Sequence, residues 1–264
     1  MTEYTCSKVD LVSRYVNTPL IRSIFACVVV VFYSLSFFKV LEARIVFDYL
    51  KPHKNEKVCD LACGCGEYSI KLLKRGCQVV GTDFEKKSIA VAQAFSGRNS
   101  FVLANAEKLP FKCDIFDKVV CVCALEHFNE GETALKEMYR ILKPNGSVVL
   151  TVDSLTYPLP VHVVTAHKTR NHVSHYYSLL ELEEKLTELG FEVTHSKYFV
   201  NSPIAVSLFT SSIRRPVMNA ALFPLVLILS MVSDFAAGKP DMGIFLAIRA
   251  RKARPSEMGE VPAM

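Results

Sequence analysis

The chain has 264 residues, half of them hydrophobic, which is ample for one large domain with additions. Its net charge of +5 is mild and no Lys/Arg run tracks along it, so a nucleic-acid partner is not expected. Nine cysteines, an odd number lying mostly in or beside apolar runs, exclude a disulfide framework and point to a reducing, cytoplasmic setting.

Residues 1–22 are mixed, with a helix expected near Val9 to Tyr15. Residues 23–38 carry no charge and lie between Arg22 and Lys39. Sixteen residues fall just short of the roughly 17–25 that cross a bilayer, and the long preceding region does not suit a signal peptide. Two readings stand for this stretch: a helix lying in a membrane interface, or a buried helix of an N-terminal cap spanning 1–56. Leu41 to Leu50 reads as a helix with Val46, Phe47 and Leu50 on its apolar stripe.

From Lys57 onward short apolar runs alternate with helical segments. Strands are predicted at Lys57–Leu61, Cys77–Thr82, Ser100–Ala104, Lys118–Cys123 and Ser147–Val152. Helices are predicted at Glu67–Lys74, Lys86–Phe95 and Gly131–Leu142, the last stopped by Pro144-Asn145-Gly146. Such continuous Val/Ile/Leu/Cys runs suit parallel strands covered on both faces. Asp153 to Tyr177 reads as a long link with four histidines, bordering the ligand crevice as a lid. A serine-capped helix follows at Ser178–Leu189, then a sixth strand at Phe191–Val200.

Residues 201–241 form an insertion before a seventh strand at Gly243–Ala250. Within it, Pro216 to Ser233 is charge-free, between Arg214-Arg215 and Asp234. A single crossing there would strand the seventh strand on the wrong side of a membrane, and Asn219 and Pro224 interrupt the run. An interfacial or re-entrant helix, or a helical lid, satisfies both facts. The tail, 253–264, is aperiodic and expected to be flexible.

The organising stretch is Val58-Cys59-Asp60-Leu61-Ala62-Cys63-Gly64-Cys65-Gly66. A strand, a glycine turn and a helix follow one another, and a second strand ends in Asp83. That order is the logic of a dinucleotide site, with the acid taking ribose hydroxyls. The spacing departs from G-x-G-x-x-G. With Asn105-Ala106-Glu107-Lys108-Leu109-Pro110-Phe111, Phe116-Asp117, Leu125-Glu126-His127-Phe128 and Leu142-Lys143-Pro144-Asn145-Gly146, it resembles the class I S-adenosylmethionine-dependent methyltransferases. The nearest subgroup includes the ubiquinone/menaquinone-biosynthesis methyltransferases.

The resemblance implies an α/β fold. This is a Rossmann-like seven-stranded, mostly parallel sheet with its last strand antiparallel and helices on both faces. The methyltransferase domain would span 57–252. S-adenosylmethionine would be the cofactor, held by Asp60, Ala62, Cys63, Gly64, Gly66, Asp83, Phe84, Asn105, Ala106 and Cys121. Ala62 stands where the family has glycine, which requires a negative φ there. Glu126 and His127 are the candidate catalytic pair. Some quinone O-methyltransferases carry Glu-x-x-Glu-His at this point and bind a metal. Here Cys123 takes the first position, and the Cys-x-Cys pairs lack zinc-site spacing, so no metal is expected. The two charge-free segments suggest a small hydrophobic acceptor (a lipid, quinone or isoprenoid) and peripheral membrane contact. Alternatives are a soluble-metabolite methyltransferase whose apolar segments form a cap or dimer interface, and a non-catalytic binding module.

Overall fold

The computed structural model describes residues 37–96, 100–214 and 223–253. The expectations for 1–22, for most of 23–38, for 215–222 and for 254–264 lie outside the described residues.

The described helices are α1 (Phe37–Leu50), α2 (Glu67–Leu73), α3 (Lys86–Ser96), α4 (Gly131–Ile141), α5 (Val161–Asn171), α6 (Leu179–Glu188), α7 (Pro203–Arg214) and α8 (Phe223–Ala237). The strands are β1 (Lys57–Leu61), β2 (Gln78–Asp83), β3 (Phe101–Leu103), β4 (Phe116–Val122), β5 (Leu142–Asp153), β6 (Phe191–Phe199) and β7 (Phe245–Lys252). They make one sheet of order β3-β2-β1-β4-β5-β7-β6. The pairs β3–β2, β2–β1, β1–β4 and β4–β5 are parallel. β7 runs against both neighbours. Ser154 N–H, after β5, meets the Ile244 carbonyl before β7, and Ala253 N–H, after β7, meets the Gly190 carbonyl before β6. The strand order reverses at β1, which has β2 on one side and β4 on the other, and the crevice of such a sheet opens there, at the strands' carboxyl ends.

The chain divides into two compact units. The core unit comprises Val46–Asp153, Ser174–Lys197 and Ala247–Met264. Its interior is aliphatic: Val46 and Leu50 of α1 pack with Val58, Leu72, Val79, Val120 and Val149. The helical unit comprises Met1–Ile45, Ser154–Val173 and Tyr198–Leu246. Its interior is aromatic, with the Phe245 ring 5.1 Å from Phe38, 5.2 Å from Phe199 and 5.4 Å from Phe209. Aromatic pairs at such separations attract beyond their area burial.

Three elements differ from the sequence expectation. Pro144-Asn145-Gly146 does not precede β5 but lies within it. Asn145 sits at φ 63° and the register against β4 jumps there, so the segment is an irregularity inside a longer strand. The link 153–177 contains helix α5, which ends on His172 in the left-handed region. Among its described residues the insertion holds two helices, α7 and α8. α7 opens on Ser202, whose Oγ accepts the Ala205 N–H at 3.2 Å, with Pro203 at its first position.

Candidate functional site

The turn after β1 brings the predicted residues together. Cys63 N–H donates to the Thr82 carbonyl at 2.8 Å and Gly66 N–H to the Cys63 carbonyl at 2.9 Å. Ala62 sits at φ +55°, which corrects the expectation of a negative φ. An L-residue there costs about 1–2 kcal/mol, which the turn's own bonds must offset. The glycines serve two ends. A Cβ on Gly66 would meet the Phe101 ring at 3.0 Å, and one on Gly81 would meet it at 2.7 Å, so these two let the layers pack. A Cβ on Gly64 would meet nothing within 4 Å. Gly64 therefore bares its backbone to an open space, which is what a cradle for a ligand requires.

Two acids frame that space. Asp60 is 2% exposed and accepts the Ser69 hydroxyl of α2 at 2.6 Å. Burial pushes its carboxyl up to about 7, against the lowering effect of Ser69. Asp60 thus ties β1 to α2 and orients the turn. Asp83 accepts the Gly64 N–H at 2.8 Å on Oδ2 and the Glu85 N–H at 2.9 Å on Oδ1. A carboxylate offers about four lone-pair sites, more than these bonds and that of the Phe84 backbone take up, so it keeps capacity to accept from a hydroxyl. Burial raises its pKa, opposed by those backbone bonds.

Beyond Asp83 stand Phe84 and, paired with Asp83 across the sheet, Leu103, both exposed. An exposed ring beside two hydroxyl acceptors suits a nucleoside. Asn105 Oδ1 accepts the Glu107 N–H at 2.9 Å, which fixes the side chain in its turn, while Ala106 is buried. This segment is clamped from α4. Arg140 donates to the carbonyls of Phe111 at 2.7 Å and Leu109 at 3.2 Å, and Glu137 accepts the Leu109 N–H at 2.7 Å. Sequence reading missed that clamp, as it missed Ser69.

Past β4 the chain makes a 3-10 turn, Leu125–His127. Glu126 is fully buried, and His127 Nε2 lies 3.8 Å from its Oε1. The Glu126 carbonyl accepts the N–H groups of Ser174 at 2.8 Å and His175 at 3.2 Å, which seats the following tyrosines nearby. Tyr176 is pushed up to about 12 by burial and by Asp153 and Glu126. Ligand atoms of Cys123, Glu126 and Asp153 all lie within 4.8 Å of one another, a set able to hold a cation. Asp153, read from sequence only as the start of a link, is the member that was missed. Cys121, in β4, is fully buried between β1 and β5.

The turn, Asp83 and Phe84 fit S-adenosylmethionine by their chemistry: bare backbone, a hydroxyl-accepting carboxylate and an exposed ring. Residues 59–150 match the family described as methyltransferase domain. A demethylmenaquinone methyltransferase of Clavibacter sepedonicus is 37% identical over 113 residues, 42% of this chain and 46% of that protein. A ubiquinone/menaquinone biosynthesis C-methyltransferase of Haemophilus ducreyi is 35% identical over 116 residues, 40% of this chain and 45% of that protein. The chain thus spans about half the length of these relatives. Among solved structures, an S-adenosylmethionine-dependent methyltransferase of Mesorhizobium loti is similar in fold, with TM-score 0.58, 19% identity, and coverage of 80% of this chain and 97% of that one. Phosphoethanolamine N-methyltransferase 2 of Haemonchus contortus, solved with S-adenosyl-L-methionine, aligns at TM-score 0.60 and 18% identity, over 81% of this chain and 52% of that one. Residues 59–150 thus match a methyltransferase domain, and the fold is one shared with S-adenosylmethionine-dependent methyltransferases.

Proposed function

We propose that this protein transfers a methyl group from S-adenosylmethionine to a small lipophilic acceptor of the quinone, lipid or isoprenoid class at a membrane surface. The observation that carries the reading is the cradle. Gly64 faces open space, and Asp83, a carboxylate with acceptor capacity left, is locked to it at 2.8 Å. When bound, S-adenosylmethionine supplies a methyl group on a sulfonium, already attached to a good leaving group. The protein's part is then alignment, which can contribute several kcal/mol. Asp83 would accept the ribose hydroxyls, Phe84 would face the adenine, and Asn105 with the Ala106 N–H would read its edge. His127, partly exposed, takes the proton of an acceptor hydroxyl or acidic carbon. Glu126 stands behind it at 3.8 Å, placed to stabilise the charge that step leaves.

The acceptor class rests on the names of the relatives, two of which methylate quinones or their precursors by name. It also rests on surface chemistry. Of the eleven large exposed hydrophobic side chains among the described residues, eight lie in the helical unit. No helix among the described residues is long and apolar enough to cross a membrane. Methyl transfer from labelled S-adenosylmethionine into a lipid extract tests the reading, with Asp83→Ala as control. Label should enter the organic phase with the wild type alone. Label confined to the aqueous phase would sink the lipophilic acceptor.

A further inference from the structure

Helix α8 is built inside out. Its polar side chains face the protein. Ser233 Oγ donates to Ser202 Oγ at 2.6 Å, and Ser230 is fully buried. Asp234 accepts the N–H groups of Val200, Asn201 and Ser202 at 2.8, 3.1 and 2.9 Å. Val226 is buried with them, but five of the helix's apolar side chains face away. Leu225, Ile228, Leu229, Val232 and Phe235 are 55, 58, 43, 59 and 93% exposed. Their spacing, i, i+3, i+4, i+7 and i+10, puts all five on one arc of the helix. A helix of a water-facing unit shows the reverse, because exposed apolar area of this extent is unfavourable unless something covers it.

We propose that this face of α8 lies in the headgroup–acyl boundary of an anionic phospholipid bilayer and docks the enzyme on the surface where its acceptor resides. The proposal rests on the lipophilic acceptor read above. Charge selects the occupant. Among described residues the helical unit has six Lys or Arg against three Asp or Glu, whereas the core unit is balanced at nineteen each. Two of those three acids are engaged within the protein: Glu42 is buried and accepts Lys39 Nζ at 2.8 Å, and Asp234 is held as described. Arg44, Lys168 and Lys239 are exposed. The unit that presents the apolar stripe is also the cationic one, the pairing that peripheral helices use on anionic lipid. A second copy of this chain would bring the same positive excess against itself.

The chain has no tryptophan, so Phe235→Trp installs a single reporter at the centre of the claim. With phosphatidylcholine–phosphatidylglycerol vesicles its emission should shift to the blue and be quenched by brominated acyl chains. Ile228→Asp with Val232→Asp should lower the partition coefficient at least about 10-fold while S-adenosylmethionine affinity and thermal midpoint hold. Added salt should weaken binding. Protein that floats with vesicles without a blue shift would overturn the proposal in favour of another segment, such as 23–36. A blue shift that grows with protein concentration in the absence of lipid would overturn it in favour of a second copy. Equal binding to pure phosphatidylcholine would overturn the anionic assignment. Loss of docking with methyl transfer to a detergent-solubilised lipid acceptor retained leaves the functional reading standing. Docking without label in any organic phase leaves the docking face standing and removes the function.

Discussion

The two units solve opposite problems with the same few residue types. In the core unit an acid is buried to shape a ligand turn: Asp60 takes the Ser69 hydroxyl at 2.6 Å, and Asp83 takes the Gly64 N–H at 2.8 Å. In the helical unit an acid gathers three backbone N–H groups, at Val200, Asn201 and Ser202, to seat a helix whose other face is left apolar. The first arrangement sets a carboxylate against a backbone that faces an open space. The second uses its acid for the fold and leaves hydrocarbon outside. A helix with polar side chains inward and apolar side chains outward makes sense only if the surroundings of the two units differ.

The sharpest way to press the contrast is pH. Asp60 is raised to about 7 by burial. Its folded form therefore holds a proton that the unfolded chain releases above about 4. The stability this contributes is present in full below pH 4 and is lost as pH rises through 7, on the order of 4 kcal/mol. Asp60→Asn removes the titration. Urea denaturation at pH 5 and pH 8 should show the wild type losing stability relative to the variant. Parallel curves would mean that Asp60 is ionised throughout.

Asp234→Ala tests the other unit. Three N–H groups lose their acceptor, and a cost of about 3 kcal/mol follows if solvent replaces only part of it. Amide exchange should quicken along α7 and α8 and at Val200, which sits at φ 53° and loses its anchor. Unchanged exchange there would show that packing alone seats α8. Next in size comes Asp83→Ala, expected to weaken S-adenosylmethionine binding roughly 100-fold, as two charge-assisted bonds would be lost. Titration calorimetry reads it, and an affinity within threefold of wild type would move the ribose away from Asp83.

Much of the core unit was legible because parallel strands and glycine turns leave strong local marks. Lys57–Leu61 and the turn at Gly64–Gly66 follow from hydrophobic runs and from residues that only certain backbones need. What the sequence hid was long-range. Ser69 reaches Asp60 across nine positions, and Arg140 reaches Leu109 and Phe111 across about thirty. No periodicity marks a side chain that bonds to a distant carbonyl. Asp153 looked like a link residue because its role depends on β5 ending beside β4. Helix α8 was read as apolar, which is correct, but its orientation was not. Only the partners of Ser230, Ser233 and Asp234 show which face turns outward.

Gly81→Ala should cost about 1–3 kcal/mol by overpacking, since the new methyl would lie 2.7 Å from Phe101 and 2.8 Å from Ser69 Oγ. Phe101→Leu should recover part of it in a double-mutant cycle. Additive effects would place the clash elsewhere.

The smallest effect tests the turn itself. Ala62 is held at φ +55°, where the Cβ of an L-residue crowds the backbone. Glycine would relieve about 1–2 kcal/mol of that crowding but would free the unfolded chain by roughly 0.5–1 kcal/mol. Ala62→Gly should therefore be neutral to stabilising by up to about 1 kcal/mol, the reverse of what the same change does in a helix or strand. The comparison with Gly64 is what gives it force, because there the side a Cβ would occupy is open. Gly64→Ala should cost stability through φ alone and affinity through the space it fills. If Ala62→Gly instead loosened S-adenosylmethionine binding at unchanged stability, the alanine would be a rigidifying device in the cradle rather than a tolerated strain.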